Sequence, residues 1–307
     1  MKKTVLLTGA SGYIGKHITL ELLNQGFQVR ASVRNLNRSQ EVRDAVAPYL
    51  SPGIDQAKLL TFVELDLEKD SGWSQALAGV DVLMHTASPF PIASPKDESE
   101  LIRPAVEGTL RALRAAHGAG VKRVILTSSI AAIYGFDLVS DNDEFHEGMW
   151  TDVDQPIGRV AYTKSKTLAE KAAWDLIKSE ANELKLTTIN PVLVVGAPLD
   201  NSYGSSISVV ERVLAGKDPM LPDLRFGIVD VKDVAKMHVS AITADISVGE
   251  RVIACSETLS FIDIAKILKT AYPKSKVKTG KAQLCSLKFW QSLTKISKQS
   301  CPYWESL

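Results

Sequence analysis

Thr4-Val5-Leu6-Leu7-Thr8 runs directly into Gly9-Ala10-Ser11-Gly12-Tyr13-Ile14-Gly15, and this junction constrains the chain more than any other segment. Glycines spaced G-x-x-G-x-x-G at the end of a strand suit a tight turn, a backbone brought close to an anion, and close helix–strand packing. The helix that follows would point its first amides at that anion. A lone glycine triplet is an ordinary turn. Here it occupies the first strand–helix junction and is followed by a second β-rich run, 28–33, which favours dinucleotide binding. Gly9, Ser11, Gly12, Tyr13, Ile14 and Gly15 are therefore expected to contact a cofactor.

The rest of the chain repeats the pattern. Runs 4–8, 28–33, 59–65, 80–86, 122–128 and 186–195 are short, apolar and rich in Val, Ile, Leu and Thr, as in strands covered on both faces. Between them, 13–24, 98–117 and 162–183 carry apolar residues at helical spacing. Such β-α-β order predicts an α/β fold with a doubly wound parallel sheet. After residue 196 the texture changes to polar loops, helices at 207–215 and 231–244, and short strands at 225–229 and 251–255. The expected division is a nucleotide-binding core over 1–195 carrying the catalytic groups, a smaller substrate lobe over 196–281 intertwined with it, and an atypical tail over 282–307. Lys plus Arg number 36 against 35 Asp plus Glu, which disfavours nucleic-acid binding through bulk charge. The first apolar stretch, Val5-Leu6-Leu7, is too short for a signal peptide or membrane span. Three scattered cysteines suit neither a disulfide framework nor a metal cluster, so a reduced, cytoplasmic chain without a metal is expected.

The end of the second strand selects the cofactor. Where an NAD enzyme usually places a carboxylate, this chain has Arg34, with Arg38 one helical turn on. Guanidinium groups bind a 2′-phosphate through paired, charge-assisted hydrogen bonds, so NADP(H) is expected. Asp66 and Leu67 end the third strand near the adenine, and Thr86-Ala87-Ser88 end the fourth beneath the cofactor.

Tyr162 and Lys166 open a long helix with i, i+4 spacing, which sets them on one face. An ammonium beside a phenol favours the phenolate, so Tyr162 is placed to exchange a proton with a carbonyl being reduced. Tyr272 and Lys274-Ser275-Lys276 repeat the spacing, but Pro273 disfavours a helix there and predicts a surface turn. The fifth strand ends Thr127-Ser128-Ser129, and one of these serines is expected to hold the carbonyl oxygen.

These segments together resemble the extended short-chain dehydrogenase/reductase superfamily. T-G-A-S-G-Y-I-G, V-R-A-S-V-R, T-S-S-I-A-A-I-Y-G, Y-T-K-S-K-T-L-A-E-K-A-A-W, I-N-P-V-L-V-V-G and V-D-V-K-D-V-A-K-M-H look like its dihydroflavonol reductase and microbial aldehyde reductase branch. The resemblance covers residues 3 to about 281. It implies a Rossmann-type core, catalytic Ser129, Tyr162 and Lys166, and a Lys166 that also binds the nicotinamide ribose. It further implies cofactor contacts from Arg34, Arg38, Thr127, Pro191, Val194 and Ser206. The implied reaction is NADPH-dependent reduction of an aldehyde, ketone or ketoester to an alcohol by a monomer or homodimer. Plant dihydroflavonol reductases carry Asn where this chain has Tyr134, which argues against a flavonoid-specific enzyme. Phe90, Ile92, Tyr134 and Met149 are candidates for an apolar substrate wall, with core packing as the competing role. A nucleotide-sugar epimerase or dehydratase is the alternative enzyme, disfavoured by Arg34. A non-catalytic NADP-sensing protein is the alternative class, disfavoured by Ser129, Tyr162 and Lys166.

Residues 282–307 break from the family pattern and hold two of the three cysteines and two of the five tryptophans. Permitted codons for 288–307, read two bases onward, can encode a string similar to the family's usual ending. A frameshift between 281 and 287 is therefore expected, and the gene's nucleotide sequence checks it.

Overall fold

A computed structural model describes residues 3–88, 97–135, 144–218, 220–222 and 224–280. The first half contains β1 (Thr4–Thr8), α1 (Tyr13–Asn24), β2 (Gln28–Val33), α2 (Ser39–Val46), α3 (Gln56–Leu59), β3 (Leu60–Glu64), α4 (Trp73–Leu77) and β4 (Val82–His85). Then come α5 (Ser99–Gly118), β5 (Arg123–Thr127), α6 (Ala161–Ser179), β6 (Lys185–Pro191), β7 (Leu193–Val195) and α7 (Ser205–Leu214). The described part closes with β8 (Arg225–Asp230), α8 (Val231–Ser240), β9 (Arg251–Ala254), β10 (Glu257–Ser260) and α9 (Phe261–Ala271).

Seven strands form one parallel sheet in the order β3-β2-β1-β4-β5-β6-β9. Successive side chains of β1 alternate between its two faces. Val5 and Leu7 join Ile18 and Leu22 of α1 and Val234 and Val239 of α8 in one core. Leu6 points the other way, into Leu83, Leu113 of α5, and Ala173 and Leu176 of α6. Burial on both faces is why these strands read as continuous apolar runs. Leu6 and Leu7 have no solvent exposure, and each contributes roughly 1.5–3 kcal/mol by burial.

The run 186–195 is two strands. β6 ends at Pro191, whose nitrogen carries no hydrogen for a ladder bond. The chain then leaves the large sheet, and β7 pairs in parallel with β8 in a second sheet of order β10-β8-β7. β10 and α9 have no counterpart in the sequence reading. Ser260 and Asp263 form a reciprocal capping box at the start of α9, and Phe226 meets Phe261 edge-on at 4.6 Å beneath it. α9 stops at Ala271, leaving Tyr272 exposed ahead of Pro273 as the turn there requires. The 282–307 tail, Phe90 and Ile92 lie outside the described residues.

Candidate active site

The strand order reverses between β1 and β4, and the loops at the C-terminal ends of the parallel strands meet there. Gly9 has φ +70°, and a Cβ on it would lie 2.9 Å from the Ala87 backbone. A Cβ on Gly15 would fall 2.2 Å from the Gly9 carbonyl oxygen, and one on Gly12 would lie 3.2 Å from it. Gly12 caps α1 without a side-chain hydrogen bond, so the amides of the first turn face outward from a cradle that any side chain would fill. That geometry fits a pyrophosphate. The Tyr13 side chain does not point into the cradle. It is buried, and its hydroxyl donates to the Gly196 carbonyl at 2.9 Å, so only its backbone is available to a phosphate. Ser11 and Ile14 flank it in the same turn.

Past β2, Arg34 is exposed and lies near Asp66. Arg38 is occupied: its Nε and Nη2 donate to Glu41 at 3.0 and 3.1 Å. Glu41 also accepts from Lys16, a fully buried lysine whose second partner is Asp200 at 2.5 Å. Arg34 is thus the more accessible of the two expected phosphate ligands. The Glu68 amide, then Lys69 and Arg34, hold the Asp66 carboxyl below the usual carboxylate range, as suits an acceptor for an amine. Leu67 packs against Gly108 of α5, where an added Cβ would approach it to 3.0 Å.

Tyr162 and Lys166 lie in the first two turns of α6, with Lys166 Nζ 5.8 Å from the Tyr162 ring centroid. Nζ also donates to Ser88 Oγ at 2.9 Å, so the lysine reaches the end of β4. Burial pulls the Lys166 ammonium down to about 8, opposed by the nearby Glu170 charge. The two serines after β5 diverge. Ser128 turns inward and donates to Glu170 at 2.5 Å, while Ser129 Oγ accepts from the Ala131 amide at 3.1 Å. Pro191 and Val194 end β6 and occupy β7, Val194 within the core, and Ser206 lies in the first turn of α7. Tyr134 is half-buried against Phe145, their ring centroids 6.4 Å apart, and burial raises its phenol above the ordinary value. The Met149 carbonyl accepts from Arg251.

Two histidines missed by sequence reasoning underlie this edge. Thr8 Oγ1 accepts from the Thr86 and Ala87 amides at 3.0 and 3.1 Å, so its hydrogen goes to His85 Nδ1 at 2.9 Å. His238 Nδ1 meets the Val234 carbonyl at 2.8 Å and must donate there, which leaves Nε2 to accept from Thr127 at 2.7 Å. Thr127 in turn lies 3.1 Å from Thr86 Oγ1. Burial lowers both rings to about 4, with the Lys166 charge adding to the effect at His85. The unfolded chain protonates near 6.5, so between pH 6.5 and 4 it binds more protons than the folded chain, and acidification destabilises the fold. Urea unfolding is expected to lose on the order of 2 kcal/mol per ring between pH 7 and 5. Equal stability at both values would mean that the rings charge freely.

A dinucleotide cradle at the strand-order reversal, with a Tyr–Lys pair brought to the same edge by a following helix, is the architecture of an extended short-chain dehydrogenase/reductase. The chain belongs to the NAD dependent epimerase/dehydratase family, whose model matches residues 5–254. A cinnamoyl-CoA reductase of Medicago truncatula is 34% identical over 273 residues, spanning 88% of this chain and 81% of its own. An NADPH-dependent methylglyoxal reductase of Saccharomyces cerevisiae is 30% identical over 304 residues, spanning 91% of this chain and 86% of its own. The crystal structure of yeast methylglyoxal/isovaleraldehyde reductase complexed with NADPH superposes with a TM-score of 0.78 at 29% identity, covering 91% of this chain and 86% of that one.

Proposed function

We propose that the chain reduces small aldehydes, ketones or ketoesters to alcohols with NADPH, using Tyr162 as proton donor. It is an NADP-dependent oxidoreductase, and the relatives named as methylglyoxal and isovaleraldehyde reductases support this reaction. The observation that carries the Tyr162 role is the placement of Lys166 Nζ between the Tyr162 ring and Ser88, at the strand ends that border the glycine cradle.

The cofactor, when bound, supplies the hydride to the carbonyl carbon. Gly9, Gly12 and Gly15 would make room for its pyrophosphate, Arg34 and Arg38 would hold the 2′-phosphate, and Lys166 would hold the ribose. Ser129 Oγ accepts from the Ala131 amide and keeps its own hydrogen to donate to the substrate oxygen. Tyr162 gives its proton to that oxygen as negative charge develops there, and regains one from solvent. The Lys166 ammonium stabilises the phenolate left behind. Tyr134 and Met149 are the described part of the substrate wall.

NADPH oxidation measured with methylglyoxal, isovaleraldehyde, ketone and ketoester substrates, in parallel with NADH, tests this reading. Turnover is expected with NADPH and weakly with NADH. Arg34→Ala should weaken NADPH about 10–100-fold, the equivalent of one charge-assisted contact, and leave NADH unchanged. Tight NADPH binding without turnover would instead indicate a sensor, and equal use of NADH would remove Arg34 from the phosphate site.

A further inference from the structure

The proposed chemistry leaves unused the most densely bonded carboxylate beside it. Glu170 sits one turn beyond Lys166 on α6, and i, i+4 spacing places the two on one face. Its side chain is 1% exposed. Oε2 accepts from Ser128 at 2.5 Å and Asn190 at 2.7 Å, while Oε1 accepts from Thr188 at 3.0 Å, Arg251 Nε at 2.7 Å and Trp174 at 3.3 Å. The Asn190 amide also donates to the Ser129 carbonyl at 3.1 Å. One carboxylate therefore ties α6 to the end of β5, to β6 and to β9.

A buried ion pair with Arg251 alone would be a weak reason to keep a carboxylate here, since apolar residues often replace such pairs without loss. What apolar residues cannot replace is a negative charge one helical turn from Lys166 on the same face of α6. The other groups facing that ammonium are Tyr162 on its own helix, Ser88, and His85 on β4, which is neutral at pH 7. Arg251 on β9 is paired with the carboxylate at 2.7 Å.

We infer that Glu170 is a positioning residue of the reductase site: its carboxylate, fixed by donors from five residues, supplies the charge that favours the Lys166 ammonium beside Tyr162. The inference rests on the reductase reading for its purpose, and its test does not require turnover. Protein labelled with 13C at lysine Cε is titrated by NMR, and the Lys166 signal is assigned by its loss in Lys166→Arg. Glu170→Gln is expected to lower the Lys166 midpoint by about one pH unit, and to move the alkaline limb of kcat down with it. Glu170→Asp keeps the charge, so its Lys166 midpoint should stay near the wild-type value even where the shorter side chain loosens the packing, which separates charge from packing. A lower melting temperature with an unmoved Lys166 midpoint would reduce Glu170 to a packing element and overturn the inference. An inactive wild-type chain would refute the reductase reading separately, and the titration would still decide whether Glu170 controls Lys166.

Discussion

Tyr162→Phe is expected to lower kcat for aldehyde reduction by about 10²–10⁴-fold, the usual worth of a positioned general acid. The substitution removes one oxygen and keeps the ring over which Lys166 Nζ lies at 5.8 Å. Lys166 keeps its bond to Ser88, and the glycine cradle lies on separate elements. NADPH should therefore bind the variant as it binds the wild type. Steady-state NADPH oxidation together with a fluorescence titration of NADPH separates the two effects. Undiminished turnover would mean that another group supplies the proton. A parallel loss of NADPH affinity would make Tyr162 a binding residue instead.

Gly15→Ala is expected to weaken NADPH by roughly 100-fold or more, about 3 kcal/mol, and to cost about 1–3 kcal/mol of stability. The new methyl would lie 2.2 Å from the Gly9 carbonyl oxygen and 3.0 Å from Ala10 Cα. Both are backbone atoms of the turn that forms the cradle, so relief requires moving the turn itself. Gly53→Ala is the control. Gly53 has φ +85°, and nothing lies within 4 Å of its added Cβ, so that variant carries local backbone strain without disturbing the cradle. Isothermal titration of both variants decides the matter. Wild-type affinity in Gly15→Ala would move the cofactor away from this turn.

Both predictions use residues that were visible in the sequence, and the reason is local. A glycine turn and an i, i+4 pair are each written within a few consecutive positions, where backbone geometry alone decides what shares a face. The alternation of Val5 and Leu7 against Leu6 was legible in the same way, because a parallel sheet buries both faces. The capping box at Ser260 and Asp263 is equally local, and it starts α9. The break at Pro191 was also written in the chain, but a run of apolar residues on both sides concealed the change of sheet.

Residues whose roles depend on distant partners were not legible. Glu170 reads as one more charged position in a helix, and only folding brings it donors from Ser128 and Arg251, 42 and 81 positions away. Arg38 is the exception: Glu41, three positions on, already holds it, and that i, i+3 pair is local. Tyr13 reads only as part of the glycine turn, and folding alone places its hydroxyl on Gly196, 183 positions on.

The chain's own order thus determined the α/β alternation, the glycine cradle, the exposed Arg34 and the Tyr162–Lys166 pair, because each follows from short-range spacing. Tertiary structure decided which serine turns inward, which protonation state His85 and His238 adopt, and which carboxylate stands beside Lys166. Those depend on burial and on donors brought from elements far apart in sequence. Side-chain periodicity records that a residue is buried, and does not record against what.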